Sequence, residues 1–177
     1  MDYFLNSARL RFRCWREEDL PLALALWSDA EVTALIGGPF TPEMVEARLS
    51  KEIAQMQKCS LQYWPVFLLE SGQHVGCAGL RPYRDGVYEL GVHFHREFWG
   101  RGLAKEASLA VIEYAFGKLG AQALFAGHHP ANEASRRLLL KLGFVYTHEE
   151  LYPPTGLMHL SYLLRRTGTF NLSGADV

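Results

Sequence analysis

The sequence predicts one mixed α/β (α+β) domain built on a single sheet. Hydrophobic spacing switches repeatedly between the period of two of a strand and the helical period. The two kinds of segment also interleave along the chain rather than separating into blocks. Size is the third observation: 177 residues, 49% hydrophobic and 21% charged, suffice for one full core. No repeat, low-complexity tract or linker divides residues 1–166, so they are expected to form a single domain.

Each element has a local reason. Residues 8–16 alternate Leu10, Phe12 and Cys14 with Arg9, Arg11 and Arg13, as a half-buried strand does. A helix follows, opened by Glu17, Glu18 and an early Pro21. Thr41 and Pro42 suit the N-cap and first position of a second helix that runs to about Lys58. Segments 61–70 and 73–83 read as strands joined at Ser71 and Gly72, and 87–95 as another beyond the Arg84–Gly86 turn. Gly100 and Gly102 precede a helix from Gly102 to about Lys118, with Leu103, Ala107, Ala110, Val111 and Tyr114 on one face. A short strand (121–129), a helix (131–142) closed by Gly143, and strands 144–152 and 157–166 complete the domain. The polar segment 167–177 is expected to be a flexible tail.

Composition narrows the function classes. A formal net charge of −1 and the lack of a long basic run make nucleic acid a poor partner. The N-terminus lacks the features of a signal peptide, and the longest apolar run, 20–27, is too short to cross a bilayer. The expectation is a cytoplasmic chain without membrane attachment. Cys14, Cys59 and Cys77 show no C-x-x-C spacing and are expected to be buried, reduced thiols. His93 and His95 would share a strand face, but no carboxylate or thiolate spacing completes a site, so no metal is expected.

The stretch HREFWGRGLAKEA (95–107) raises a physical question. A helix N-terminus carries about half a positive charge, and cations there cost about 0.3–1 kcal/mol each. Arg101 and Lys105 nevertheless occupy that turn. A strand–glycine turn–helix junction offers free N–H groups to an anion, and a diphosphate would reverse the penalty. The dinucleotide pattern G-x-G-x-x-G fails because Lys105 stands where the third glycine belongs, and no G-K-[ST] follows for a nucleotide P-loop. The competing explanation is a tight turn whose cations are neutralised locally by Glu97 and Glu106.

Taken together, YELGVHFHREFWGRGLAKEA and HHPANEASRRLLLKLGF resemble the GNAT superfamily of acyl-CoA-dependent N-acetyltransferases. The RimJ/RimL branch, which acts on ribosomal-protein N-termini, is the nearer likeness, and RLRFRCWREEDLPLALALWSDAEVT resembles that branch's opening strand and helix. The resemblance implies a mostly antiparallel mixed sheet of about seven strands with four helices and a splay between the fourth and fifth strands. It also implies acetyl-CoA as acyl donor, with Q/R-x-x-G-x-G/A cradling the pyrophosphate. Trp99, Gly100, Arg101, Gly102, Leu103 and Ala104 occupy that pattern, with Trp99 replacing Gln or Arg, and Lys105 follows. The backbone of Val92, His93 and Phe94 would pair with pantetheine. In the second motif, N-x-x-[AS]-x-x-x-Y-x-K-x-G-F, Asn132, Ser135, Lys141, Gly143 and Phe144 match while Leu139 replaces the tyrosine acid. Ser135 is then the candidate to stabilise charge on the leaving sulfur. Asn132 suits both the site and a helix N-cap.

Direct acyl transfer requires a neutral amine. With pKa values near 7.8 and 10.4, an α-amine supplies roughly 400-fold more neutral form at pH 7 than a lysine, about 3.5 kcal/mol. Glu89 is the leading candidate base, sharing a strand face with Gly91 and His93. Its structural alternative is an ion pair with Arg81 or Arg84. His93 is the second choice and His128 the third. Tyr63, Trp64 and the LIGGPF loop are possible walls of an acceptor groove. The expected reaction is direct acetyl transfer from acetyl-CoA to a protein or peptide N-terminal α-amine. A small amine (aminoglycoside, polyamine or amino-acid-like metabolite) and a non-catalytic acyl-CoA sensor are the alternatives. A homodimer is compatible with the resemblance.

Overall fold

Alternation along the strands sorts side chains onto two faces of one sheet, and each face carries its own core. The computed structural model describes residues 3–166, so the expected tail (167–177) lies outside the described residues. The strands are β1 (Leu5–Asn6), β2 (Leu10–Phe12), β3 (Tyr63–Leu68), β4 (His74–Arg84), β5 (Val87–Phe94), β6 (Ala123–His128), β7 (Val145–Tyr152) and β8 (Leu157–Arg165). They form an eight-stranded sheet in the order β1-β2-β3-β4-β5-β6-β8-β7. All neighbours are antiparallel except β5 and β6.

Five α-helices accompany the sheet: α1 (Leu20–Trp27), α2 (Ala30–Thr33), α3 (Pro42–Cys59), α4 (Leu103–Gly117) and α5 (Glu133–Lys141). On one face Leu10, Phe12, Trp64, Val66, Ala78 and Leu80 pack with Leu103, Ala107 and Val111 of α4 and with Leu139 of α5. On the other, Tyr63 and Cys77 pack with Ala23, Leu26 and Trp27 of α1 and Val45 and Leu49 of α3.

The sheet has one strand, and the chain one helix, more than the sequence pattern suggests. β1 spans two residues, too few to show alternation. α2 is a single turn set by Asp29, whose carboxylate accepts from the Glu31 and Val32 N–H groups at 2.8 and 3.0 Å. The expected caps form elsewhere: Thr41 accepts from Met44 N–H, and Gly143 follows α5 at φ 86°. All three cysteines are free, but only Cys77 is buried; Cys14 is half-buried and Cys59, the last residue of α3, is exposed. Among the described residues no helix is long and apolar enough to cross a membrane.

The sheet opens at one place. β5 and β6 are paired at Val87↔Ala123, Tyr88↔Leu124 and Glu89↔Phe125, and no further rung joins them. Beyond Glu89, β4 continues to hold β5 as far as Phe94, while β8 holds β6 as far as His128. Each strand is therefore fixed from its outer side while the two diverge. This is the expected splay, between the fifth and sixth strands once β1 is counted. Because β5 and β6 run parallel, α4 and α5 begin beyond the same ends of the strands. Open α/β sheets bind ligands at such carboxyl ends.

Candidate active site

Backbone groups build one side of the opening. Gly100 and Gly102 adopt φ of 72° and 75°, a region that L side chains rarely enter. Space does not require the glycines, since a Cβ on Gly100 would meet nothing within 4 Å. The first intrahelical bond runs from Glu106 N–H to Gly102 C=O at 3.1 Å. The N–H groups of Leu103, Ala104 and Lys105 precede it and project from the helix end.

Local neutralisation of the two cations does not occur. Glu106 accepts from Ser7 hydroxyl, Arg9 N–H and Arg9 Nε, each at 2.7 Å. Glu97 accepts from Gln73. Arg101 and Lys105 are exposed and form no ion pair among the described residues. The loop itself is braced from both sides: Arg9 Nη1 donates to Arg101 C=O at 3.2 Å, and Trp99 Nε1 donates to Phe94 C=O at 2.8 Å. Trp99 thereby ties the glycine turn to the last residue of β5, and Phe94 C=O is engaged by the protein itself. Free amides, a helix dipole and two cations outside any ion pair among the described residues can receive an anion, with Arg101 resting over the Phe98 ring at 5.4 Å.

Across the opening, Asn132 caps α5 by accepting from Ser135 N–H at 3.0 Å, the structural half of its expected role. Ser135 is half-buried, and its hydroxyl makes no hydrogen bond among the described residues. Leu139, one turn later, is buried in the core, so no polar group comes from that position.

The other face of β5 assembles a cluster of side chains. Glu89 sits on the last rung before the strands part. Its expected ion-pair alternative does not form. Arg81 instead pairs with the buried Glu52 of α3 and stacks on Tyr63 at 4.1 Å, while Arg84 lies 3.9 Å from Glu150. Burial raises the Glu89 pKa above its ordinary value, against the opposing charge of Arg81 and a hydrogen bond with Tyr63. A carboxylate so raised is a better proton acceptor, as general-base catalysis requires. Tyr63 lies over Gly91, where a Cβ would fall 2.3 Å from its ring, and on the same face as Glu89 and His93. Trp64, the other aromatic considered, is fully buried in the opposite core.

The histidine candidates fare worse. Burial and the charges of Arg48 and Arg81 drive the His93 pKa well below its usual range, leaving a neutral, weakly basic ring. His95 lies just beyond β5, where its Nε2 stands 3.2 Å from His74 Nδ1. His128 is held between His129 C=O at 2.8 Å and Tyr162 hydroxyl at 3.3 Å. The Cys77 thiol, 3.8 Å from His93 Nδ1, is pushed up to about 12 by burial and stays protonated. That is the wrong state for a nucleophile.

Glu52, Arg48 and Tyr152 join this cluster in addition to Tyr63, the expected groove wall. The signal was present for two of them: Arg48 and Glu52, four residues apart, interrupt the apolar stripe of Val45 and Leu49. Tyr152 arrives from β7, distant in sequence. The loop before α3 closes over this side, since a Cβ on Gly37 would fall 2.7 Å from Pro154 O in the β7–β8 turn.

A turn of free amides at a strand splay, with the half-buried Glu89 carboxylate on the neighbouring strand, fits an acyltransferase of the GNAT class. The chain belongs to that family: the Acetyltransferase (GNAT) domain matches residues 9–145. It is an N-acetyltransferase. It is 31% identical over 147 residues to the "Uncharacterized N-acetyltransferase p20" of Bacillus licheniformis, covering 79% of this chain and 81% of the relative. YoaA of Bacillus subtilis, another N-acetyltransferase, is 29% identical over 149 residues, covering 79% and 81%. Solved structures share the fold. A GNAT-family acetyltransferase from Bacillus anthracis has a TM-score of 0.79 at 23% identity, over 92% of this chain and 98% of that one. RimL, the ribosomal L7/L12 alpha-N-protein acetyltransferase, has a TM-score of 0.78 at 14% identity over 93% and 94%, and has also been solved with coenzyme A.

Proposed function

We propose that this enzyme transfers the acetyl group of acetyl-CoA directly to an N-terminal α-amine of a peptide or protein, in the manner of the RimJ/RimL branch. The observation that carries the reading is the position of Glu89: half-buried, without an ion pair among the described residues, on the last rung before β5 and β6 separate.

Acetyl-CoA supplies the activated thioester. The amides of Gly100 to Lys105, with Arg101 and Lys105, would hold its diphosphate. Val92 and His93 have a backbone edge left free by the splay and would align pantetheine, whereas Phe94 C=O is already engaged by Trp99. Glu89 accepts the proton that the α-ammonium must lose before it can attack. Ser135 hydroxyl, with no hydrogen-bond partner among the described residues, donates a hydrogen bond where negative charge collects on sulfur, with Asn132 fixing the first turn that carries it. The protonated Cys77 and weakly basic His93 favour direct transfer over a covalent enzyme intermediate.

The α-amine assignment rests on the roughly 400-fold advantage in neutral amine at pH 7. The test is a steady-state screen with acetyl-CoA against peptide N-termini, lysine peptides with blocked N-termini, polyamines and aminoglycosides. Peptide α-amines should give the highest kcat/KM. A polyamine or aminoglycoside exceeding every peptide would overturn the assignment.

A further inference from the structure

Four charged side chains from α3, β4 and β5 crowd the acceptor side, and three have partners or a task. Glu52 and Arg81 pair with each other, and Glu52 Oε2 also accepts Tyr63 N–H at 2.9 Å. Glu89 is the proposed base. Arg48 is left over. Its guanidinium lies 4.6 Å from the Trp27 ring centroid and 5.5 Å from that of Phe40. Its Nε is buried without a hydrogen-bond partner, and it forms no ion pair among the described residues.

We infer that Arg48 recognises a carboxylate carried beside the reactive amine, so that the preferred acceptors are amino-acid-like or acidic α-amines. This rests on the acyl-transfer reading of Glu89. Arg48 is half-buried, and a guanidinium partly shielded from water is ordinarily paired. A planar guanidinium already seated between aromatic rings is pre-organised for two-pronged contact with a carboxylate. Arg48 occupies the inward stripe of α3 one turn before Glu52, under the loop that carries Phe40. Its charge acts on His93, Cys77, Tyr152 and Glu89, the groups that line the acceptor side. A carboxylate base within electrostatic reach of a guanidinium that has no ion pair among the described residues complements a molecule bearing both an ammonium and a carboxylate. A polyamine or aminoglycoside would bring further cations towards Arg48 and meet repulsion.

The carboxylate has two chemical sources, a free amino acid's own carboxyl group or an acidic first side chain of a peptide. Two acceptor pairs distinguish them: alanine against alaninamide, and Asp-Ala-Ser-amide against Asn-Ala-Ser-amide, each corrected for its neutral-amine fraction. In the wild type, the anionic member of at least one pair should have kcat/KM about 10- to 100-fold higher, with the difference in KM. Arg48→Gln should bring that ratio close to one, and Arg48→Lys should restore part of it. No preference in the wild type overturns the proposal without needing any variant. So does a ratio that survives Arg48→Gln, or an equal loss on every acceptor, which marks a structural role. If no amine turns over, the acyl-transfer reading fails separately. Calorimetric titration with N-acetylaspartate and N-acetylalanine then decides the anion site: binding lost in Arg48→Gln supports it, and no binding to the wild type removes it.

Discussion

The loop of residues 99–105 carries the amides proposed to hold the diphosphate in one unbroken segment, whereas the Glu89 cluster draws Arg48 and Glu52 from α3, Tyr63 from β3, Arg81 from β4 and Tyr152 from β7. The first is made of backbone and dipole, so its geometry depends on two positive-φ glycines and tolerates changes such as Trp99. The second is made of side chains brought from four strands and a helix, so its arrangement depends on packing between distant segments. The donor side should therefore fail gradually when charges are altered, while the acceptor side should fail at a single residue.

The largest expected effect is Glu89→Gln. Loss of a positioned base lowers kcat/KM by about 10²- to 10⁴-fold. The loss should depend on pH. Between the raised Glu89 pKa and about 7.8, the wild type can bind the ammonium and remove its proton, so its kcat/KM stays nearly flat. The variant must wait for free amine and should fall about tenfold per unit in that window. The wild-type to variant ratio therefore grows as pH drops, until Glu89 itself protonates. Stability should move the other way. Because the folded-state pKa of Glu89 lies above its unfolded value, the unfolded chain releases this proton first, and stability declines as pH rises through that interval. Glu89→Gln removes that penalty, so its Tm at pH 7 should equal or exceed the wild type's. A uniform loss of activity across pH would assign Glu89 to positioning and leave the cluster without a base.

This contrast also explains what was legible in the sequence. The strand–glycine–helix junction is contiguous, so its place and its two exposed cations could be read locally, while the proposed ligand came only with the family resemblance of both motifs. The element order could be read for the same reason, apart from the two-residue β1 and one-turn α2, which are too short for a period. The Glu89 environment could not. Its carboxylate has no ion pair among the described residues, Arg81 reaching across to Glu52 of α3 and Arg84 lying near Glu150, and no local spacing encodes that choice. Likewise, Glu106 looked available to Lys105 but turns to Ser7 and Arg9, almost a hundred positions away in the chain.

Arg101→Glu tests the donor side at intermediate magnitude. Reversing one exposed charge beside the amides should weaken acetyl-CoA affinity about 10- to 100-fold, as loss of a charge-assisted contact does. Increasing salt should narrow the gap. Tm should stay within experimental error, because Arg101 forms no ion pair among the described residues. Unchanged affinity by calorimetry would take Arg101 out of the site and leave the amides to hold the diphosphate alone.

The smallest effect separates the brace from the binding groups. Trp99→Phe keeps an aromatic ring but deletes the indole N–H that reaches Phe94 C=O. One such bond contributes about 0.5–1.5 kcal/mol, here to the order of the glycine turn rather than to the core, since Trp99 is 51% exposed. Faster amide exchange at Gly100 to Leu103 should therefore accompany an acetyl-CoA affinity lower by about 2- to 10-fold, with kcat at saturation unaffected. Affinity unchanged beside faster exchange would mean that the Arg9 contact to Arg101 C=O holds the turn by itself. A fall in kcat would couple the turn to Glu89 across the splay, and the two ends of the site would no longer be separable.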